Sequence, residues 1–195
     1  MNSLEEDYKH RVMDAISKIP TESVSRLADA VLDAWERKRQ VFLIGNGGSA
    51  GNAIHLANDF LYGVCKQLGS GIRVHALTAN SSILTCLAND EGYENIFSHQ
   101  LQVHANPGDI LIALSGSGNS PNILRALEIA AKLEIESYAV LGFNGGKAKF
   151  LAKYPIHCEV DDMQISEDIQ LIIGHMIMQR IYKSNKNKLL SEGNK

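Results

Sequence analysis

The sequence has few cysteines, few aromatic residues and no excess of basic charge. Cys65, Cys86 and Cys158 are scattered among 195 residues without disulfide-like or metal-ligand spacing. This usage favours a reduced, cytoplasmic protein. The formal net charge of −3 argues against direct nucleic-acid binding through a basic surface. No apolar stretch reaches membrane-spanning length, and the first residues are charged where a signal peptide would be apolar, so we expect no membrane association.

What the chain does contain suits one globular domain with a full core. Hydrophobic residues make up 45% and charged residues 21% of the sequence, which is ordinary for such a domain. We predict a single domain over residues 1–183, with amino-terminal helices at residues 1–39 and an α/β core at residues 40–183. The polar residues 184–195 are expected to form a flexible tail.

Five short apolar segments predict β-strands, and helix-like sequence lies between most of them. These segments are residues 41–44, 72–77, 110–114, 137–141 and 154–160. Near-continuous apolar strands that alternate with helices are typical of a parallel sheet covered on both faces. The sequence therefore predicts the α/β class.

Three further helices are predicted outside the strand-and-helix alternation. Residues 4–19 and 21–39 form two of them, separated by Pro20, and Thr21 is the expected N-cap of the second. The last helix, over residues 165–183, is apolar around most of its circumference. Such a helix is either an ordinary core helix or part of a subunit interface.

Two loops rich in glycine, serine and asparagine follow predicted strands and lead into helices. They are GNGGS at residues 45–49 and SGSGNS at residues 115–120. Backbone N–H groups at such helix starts, together with small hydroxyls, suit a phosphate group; a plain structural turn is the alternative. Ser49 and Ser120 are the expected N-caps. Because no acidic residue ends the strand after GNGGS and no P-loop lysine is present, we expect no nucleotide cofactor.

Several polar side chains near these loops have both a functional and a structural interpretation. His55 and Asp59 are four residues apart, hence on one helix face, where they form either a metal or acid–base pair or a local hydrogen bond. Asn89 and Asp90 either bind sugar hydroxyls or end a helix in a turn.

The last predicted helix carries a second set of such residues. Glu167 and Asp168 lie in its first turn, where acids complement the helix dipole. Gln170 and His175 follow among apolar neighbours, a setting more typical of a core or interface histidine than of a ligand.

Taken in order, these motifs resemble those of the SIS (sugar isomerase) domain family, and in particular its phosphoheptose isomerases. The resemblance covers about residues 4–181. It rests on GNGGS followed by His55, the Asn-Asp-x-Gly-Tyr-x-x-Ile-Phe segment at residues 89–97, SGSGNS, the Gly-Gly-Lys turn at residues 145–147 and the late Ile-Gln pair. It implies a three-layer α-β-α sandwich with a five-stranded parallel sheet. It also implies a homotetramer joined through the amino-terminal helices.

The resemblance implies the interconversion of sedoheptulose 7-phosphate and D-glycero-D-manno-heptose 7-phosphate, for lipopolysaccharide or capsule heptose. The residues that would bind this substrate fall into three groups. The phosphate group would contact Ser115, Gly116, Ser117 and Ser120, and the sugar would contact Asn46, Gly47, Gly48 and Ser49. Asp59, Asn89, Asp90 and Gln170 complete the implied set.

The metal site that the resemblance implies, zinc in many members, is only partly present. His55 and Gln170 match two ligands, and Asp59 replaces a glutamate. Met178 replaces the last histidine, and a thioether is a poor zinc ligand that cannot carry a proton. His175 lies about 140° around the helix from Gln170, against about 80° for the matching position, so it is not expected to replace that histidine.

Aldose–ketose isomerisation needs a base and an acid or metal that stabilises the developing oxyanion. Asp59 is the expected base, and Glu167 and Gln170 are the other expected catalytic residues. The second catalytic group stays open among Glu167, Asp168 and His175, including residues of a neighbouring subunit. The alternatives are an isomerase for another sugar phosphate and a non-catalytic regulator that resembles a DnaA-binding replication protein and takes DnaA as its partner.

Overall fold

A parallel β-sheet lies at the centre of the computed structural model, which describes residues 3–65 and 71–192. Its strands are Gln40–Gly45 (β1), Arg73–Ala76 (β2), Ile110–Ser115 (β3), Glu136–Leu141 (β4) and Tyr154–His157 (β5). They lie in the order β2-β1-β3-β4-β5, and each neighbouring pair is parallel. The predicted five-stranded parallel sheet is confirmed, although the last strand ends three residues before the predicted residue 160.

Helices cover both faces of the sheet. In the described ranges they are Leu4–Ser17 (α1), Thr21–Glu36 (α2), Gly48–Leu61 (α3), Ser81–Asp90 (α4), Ser98–His104 (α5), Pro121–Lys132 (α6), Ala148–Leu151 (α7) and Met163–Glu192 (α8). One face is covered by α1, α2, α3 and α8, which pack into a first core. The other is covered by α4 to α7, which pack into a second core. The predicted three-layer sandwich is therefore confirmed.

Strand β1 shows why the sequence builds two cores. Val41 and Leu43 belong to the first core, and Phe42 and Ile44 belong to the second. Successive side chains of a strand point to opposite faces, so a strand covered on both sides must be apolar at every position. This requirement accounts for the uninterrupted apolar segments that mark the strands in the sequence.

Two helix starts differ from the sequence prediction. Thr21 is the first residue of α2 rather than its N-cap, which is Pro20. Ser49 is not a cap either, because Gly47 takes a positive φ of 54° that favours glycine, and α3 already begins at Gly48. Ser120 does occupy the N-cap position of α6, but its side chain makes no capping hydrogen bond.

The final helix is longer than predicted. It begins at Met163 and runs to Glu192, nine residues past the predicted end at residue 183. Residues 184–192 contain neither proline nor glycine, and the lysines, leucines and glutamate among them favour helix. The backbone there is helical where a tail had been expected, and residues 193–195 lie outside the described residues.

The buried side of α8 is a stripe of isoleucines at four-residue spacing. Ile165, Ile169, Ile173, Ile177 and Ile181 are each at most 2% exposed, and all belong to the first core. The core-helix interpretation of this segment is therefore confirmed for one side, while Met176 on another side is 37% exposed. Among the described residues, no helix combines the length and apolar character needed to cross a bilayer.

Candidate active site

The two glycine-rich loops lie side by side at the carboxyl edge of the sheet. Strands β1 and β3 are neighbours, with Gly45 paired to Leu114. The helices that follow them diverge, because α3 packs in the first core and α6 in the second. A crevice between two strands whose helices leave on opposite faces is where ligands bind in open α/β sheets.

A pocket of about 110 Å³ opens between the loops. It is lined by Asn46, Ser49, Leu114, Ser115, Gly116, Ser117, Ser120, Met163 and Glu167. The structure thus brings the four residues assigned to phosphate together with two residues of the GNGGS loop. Glu167 also reaches this pocket, from the first turns of α8.

Within the SGSGNS loop, serine oxygens accept hydrogen bonds from the backbone. Gly118 N donates to Ser115 Oγ at 3.1 Å, and Asn119 N donates to Ser117 Oγ at 3.3 Å. Because each oxygen acts here as an acceptor, each hydroxyl hydrogen stays available to a phosphate oxygen. The hydroxyl groups of Ser115 and Ser117 can therefore both donate hydrogen bonds to a ligand.

The Gly-Gly-Lys turn supports the SGSGNS loop from behind. Lys147 N donates to Asn119 Oδ1 at 3.1 Å, and Ala148 N donates to Gly118 O at 2.9 Å. The contact is so close that a β-carbon on Gly118 would lie 2.1 Å from Gly145 O. This turn therefore fixes the shape of the loop without lining the pocket.

Glu167 and Asp168 point in different directions. A β-carbon on Gly48 would lie 2.2–2.4 Å from the Glu167 carboxyl atoms, so this carboxyl group lies against the start of α3. Asp168 instead accepts a 2.6 Å hydrogen bond from the hydroxyl of Tyr8 on α1. This bond raises the pKa of Tyr8 to about 12 and ties α1 to α8.

Gln170 is buried between α3 and α8, with 1% of its surface exposed. Its Nε2 donates to Ser49 Oγ, and its Oε1 accepts from Asn52 Nδ2, both at 3.0 Å. Both ends of the amide therefore have protein partners. In this structure Gln170 links the GNGGS loop, α3 and α8.

His55, Asp59 and His175 form a cluster at the outer end of the α3–α8 contact. The two imidazole Nε2 atoms are 3.2 Å apart, and each lies 3.4 Å from Asp59 Oδ2. One ligand atom from each residue lies within 4.8 Å of the other two. The predicted proximity of His55 and Asp59 is confirmed, and of the three candidates for the second catalytic group His175 is the one that lies beside Asp59.

Asn89 and Asp90 lie at the exposed end of α4, and neither lines the pocket between the loops. Asn89 Nδ2 donates to Asp90 Oδ1 at 2.7 Å. The Cys86 thiol donates to Asp90 Oδ2 at 3.5 Å, and this contact raises the pKa of Cys86. The helix-end interpretation of this pair therefore matches its position.

Two residues that the sequence interpretation missed, Tyr93 and Asn122, contact the GNGGS loop. The side chains of Asn46 and Asn122 exchange hydrogen bonds of 2.9 and 2.8 Å, and the Tyr93 hydroxyl donates to Asn46 Oδ1 at 2.9 Å. A polar residue at the second position of the apolar helix α6 was the signal for Asn122.

Comparisons with known proteins agree with this geometry. The family model described as SIS domain matches residues 6–142. A phosphoheptose isomerase of Geotalea daltonii is 34% identical over 173 residues, which cover 89% of this chain and 90% of the relative. Phosphoheptose isomerase 2 of Campylobacter jejuni is 40% identical over 147 residues, 75% of this chain and 73% of the relative.

The chain belongs to the SIS domain family, in the group of its phosphoheptose isomerases. A solved structure of phosphoheptose isomerase GmhA from Neisseria gonorrhoeae matches with a TM-score of 0.81 and 26% identity, covering 92% of this chain and 98% of that one. A phosphoheptose isomerase structure from Francisella tularensis gives 0.85 at 24% identity, with 94% and 100% covered, and supports the fold.

Within this SIS domain protein, Met178 also lies beside the carboxylate of the cluster. A β-carbon on Gly63 would lie 3.3 Å from Met178 Sδ and 3.8 Å from Asp59 Oδ1. His175 precedes Met178 by three residues, which is one helical turn and about 60° of rotation. Met178 Sδ and Asp59 Oδ1 thus both lie near Gly63, whereas His175 contacts Asp59 directly, with Nε2 3.4 Å from Oδ2.

Proposed function

We propose that this SIS domain protein is an aldose–ketose isomerase that interconverts sedoheptulose 7-phosphate and D-glycero-D-manno-heptose 7-phosphate. Its relatives from Geotalea and Campylobacter are named phosphoheptose isomerases. One observation carries the proposal: the serine-lined pocket lies at the start of α3 and α8, and the cluster of His55, Asp59 and His175 lies further along the same two helices.

The phosphate group is assigned to the pocket between the loops. Ser115, Ser117 and Ser120 line it, and α6 begins at Pro121, directly after Ser120. A helix start and hydroxyl donors together stabilise a dianion. No lysine or arginine lines this pocket in the described part of the chain, so neutral donors supply the binding.

The spacing of contacts along α3 and α8 suits an extended sugar. The two helices run side by side in the same direction, since Gly48 meets Glu167, Asn52 meets Gln170 and His55 meets His175. At a rise of about 1.5 Å per residue, Asp59 lies roughly 15 Å along α3 from Ser49. An open seven-carbon chain spans more of this distance than a shorter sugar does, which favours the longer substrate in our proposal.

Asp59 is assigned the role of base. Its carboxylate is only 18% exposed in the side chain, and Oδ2 faces the two imidazoles. The other oxygen, Oδ1, accepts only a long 3.4 Å hydrogen bond from Asn58 among the described contacts. In our proposal this oxygen takes the proton from the carbon next to the carbonyl and returns it to the former carbonyl carbon. The carbonyl oxygen gains a proton as the enediol forms, and the hydroxyl oxygen on the first carbon loses one as it collapses.

His55, Asp59 and His175 are the residues assigned to a metal, and Gln170 is not, because both ends of its amide have protein partners. Two imidazoles and a carboxylate suit zinc and related transition metals. When bound, zinc would stabilise negative charge on the substrate oxygens. The two histidines would also orient the sugar end of the substrate by hydrogen bonds.

His175 bears on the alternative of a non-catalytic regulator that binds DnaA. That alternative depended on the missing histidine at Met178, and the imidazole of His175 beside Asp59 removes this reason.

The protein is proposed to act in the cytoplasm, with its product used for lipopolysaccharide or capsule heptose. A homotetramer joined through the amino-terminal helices is proposed as well, supported by the exposed Leu4 and Met13 of α1.

The experiment is an aldose–ketose interconversion assay with sedoheptulose 7-phosphate on the wild-type protein and the Asp59→Asn variant. We expect turnover by the wild type and a loss of about 10²- to 10⁴-fold in the variant, the usual contribution of a general base. Asp33→Asn, which changes a surface aspartate paired with Arg37, is the matched control. A wild-type protein that binds the sugar phosphate without converting it, with or without zinc, would refute the proposal.

A further inference from the structure

We propose that Asn122 and Tyr93 are positioning residues. They fix the position of the GNGGS loop relative to the SGSGNS loop and so determine the orientation in which a sugar phosphate binds. The inference goes beyond the proposed reaction and uses it only for the identity of the sugar. It rests on a hydrogen-bond network centred on Asn46, in which the family resemblance assigns no role to Asn122 or Tyr93.

The network joins the two loops through one pair of side-chain amides. Asn46 Nδ2 donates to Asn122 Oδ1 at 2.9 Å, and Asn122 Nδ2 donates to Asn46 Oδ1 at 2.8 Å. Asn122 Oδ1 also accepts from Ile123 N at 2.9 Å. A backbone N–H can only donate, so this contact fixes which end of the Asn122 amide is oxygen. The pair therefore has a defined polarity.

Tyr93 adds a third segment to the same point. Its hydroxyl donates to Asn46 Oδ1 at 2.9 Å, and it lies in the short helical turn Tyr93–Asn95 that follows Asn89 and Asp90. All three segments assigned to the substrate thus meet at one asparagine. Asn46 Oδ1 accepts two hydrogen bonds from the protein, and one Nδ2 hydrogen is donated to Asn122. Only the second Nδ2 hydrogen therefore remains for a ligand.

Burial shows that Asn122 acts through Asn46 and not on the substrate. Asn122 is 0% exposed and does not line the pocket, whereas Asn46 does. An unpaired buried amide would be costly, so the pair holds both partners in place. The phosphate is assigned to one loop and the sugar to the other, and small errors in the distance between them reduce the rate strongly.

Tyr93→Phe is the main test, because it removes one exposed hydroxyl and leaves the ring. Asn122→Leu, which keeps the number and branching of the side-chain heavy atoms, removes the amide pair. Tyr138→Phe is the matched control. It deletes a hydroxyl hydrogen bond to Glu136, which lies at the amino end of β4 and not at the carboxyl edge where the two loops lie. For each protein, the dissociation constants of inorganic phosphate and of sedoheptulose 7-phosphate are measured by calorimetry, with kcat, KM and the melting temperature.

For Tyr93→Phe we expect sugar-phosphate affinity and kcat to fall about three- to tenfold, the typical effect of one neutral hydrogen bond, while inorganic phosphate binds within twofold of wild type. For Asn122→Leu we expect a fall of roughly 100-fold in kcat/KM. Equal weakening of both ligands, or no change in either, would overturn the proposal. If Asn122→Leu does not fold, Tyr93→Phe decides. If the wild type binds the sugar phosphate without turnover, the proposed function fails, but the ratio of the two dissociation constants still tests positioning.

Discussion

Nε2 of His175 lies 3.2 Å from Nε2 of His55, although the two residues belong to different helices and are 120 positions apart. Asp59 Oδ2 lies 3.4 Å from each of them. The contact shows that His175, one turn before Met178 on α8, lies beside Asp59. Met178 lies near the same carboxylate. In the proposed site, His175 would therefore supply the imidazole that the family resemblance implies at position 178.

His175→Ala is expected to weaken zinc binding by at least about 100-fold, since loss of even an outer-shell partner costs 10- to 100-fold. Adding Met178→His to that variant is expected to restore part of the affinity, because Met178 Sδ and Asp59 Oδ1 both lie near Gly63. Zinc affinity by competition titration and the visible spectrum of the cobalt-substituted protein give the readout. His99→Ala, which changes an exposed histidine on α5, serves as the control. Unchanged zinc affinity in His175→Ala would exclude His175 as a ligand.

Ser117→Ala is expected to weaken binding of sugar phosphate, because it deletes a donor in the pocket. Hydrogen bonds to charged groups contribute about 1.5–3 kcal/mol. Calorimetry with inorganic phosphate and with the sugar phosphate measures the effect, and both ligands are expected to be affected alike. Ser82→Ala on α4 is the comparison variant. Full affinity in Ser117→Ala would rule out this loop as the phosphate site.

Two glycines of α3 are expected to respond in opposite ways. In Gly48→Ala the new β-carbon would meet the Glu167 carboxyl group at 2.2–2.4 Å, so this side chain must move and the pocket changes shape. We expect reduced sugar-phosphate affinity. In Gly51→Ala no atom lies within 4 Å of the β-carbon, and the free energy of unfolding is expected to rise by about 0.5–1 kcal/mol. Calorimetry and urea denaturation of both variants decide, and equal responses would contradict the structure.

The stability contributed by Asp162 is expected to vanish in acid. Its Oδ1 accepts a hydrogen bond from Ile165 N at 3.1 Å, and Arg11 pairs with its other oxygen. The backbone hydrogen bond from Ile165 and the Arg11 partner lower the pKa of this carboxyl group below its usual value. A lowered pKa in the folded state gives stability above the unfolded pKa, and this stability is lost as the pH falls through the folded value.

Asp162→Ala should therefore cost about 0.5–2 kcal/mol at pH 7, the usual range for a helix cap. The difference from wild type should shrink below about pH 4, where the carboxyl group also becomes protonated in the unfolded chain. Urea denaturation at both pH values measures it, with the exposed neighbour Asp161→Ala as the control. A difference that stays constant into acid would show that the charge is not responsible.

The sheet and both loops could be predicted because each is encoded locally. A strand buried on both faces must be apolar throughout, as Val41 to Ile44 are, and a turn that needs positive φ selects glycine, as at Gly47 and Gly118. The parallel arrangement then places both loops at one edge. These features follow from short segments and simple periodicity.

The partners within the site could not be predicted in the same way. The pairing of Asn46 with Asn122, and of His55 with His175, depends on how separate helices pack, which no single segment encodes. Gln170 illustrates the limit, since the family resemblance implied a ligand while its burial between α3 and α8 gives it two protein partners. Helix angles along α8 alone could not show that His175 lies beside Asp59, because α3 supplies the other half of the cluster.

The division into two cores has an evolutionary consequence. In the proposed site, the loop assigned to phosphate leads into α6 and the second core, whereas the cluster of His55, Asp59 and His175 stands on helices of the first core. Changes at the cluster end of α3 and α8, away from Ser49 and Glu167, would alter the reacting end of the site while the SGSGNS loop stays anchored on the other layer. A lineage could thus exchange one imidazole position for another while it keeps its hold on the phosphorylated end of the molecule.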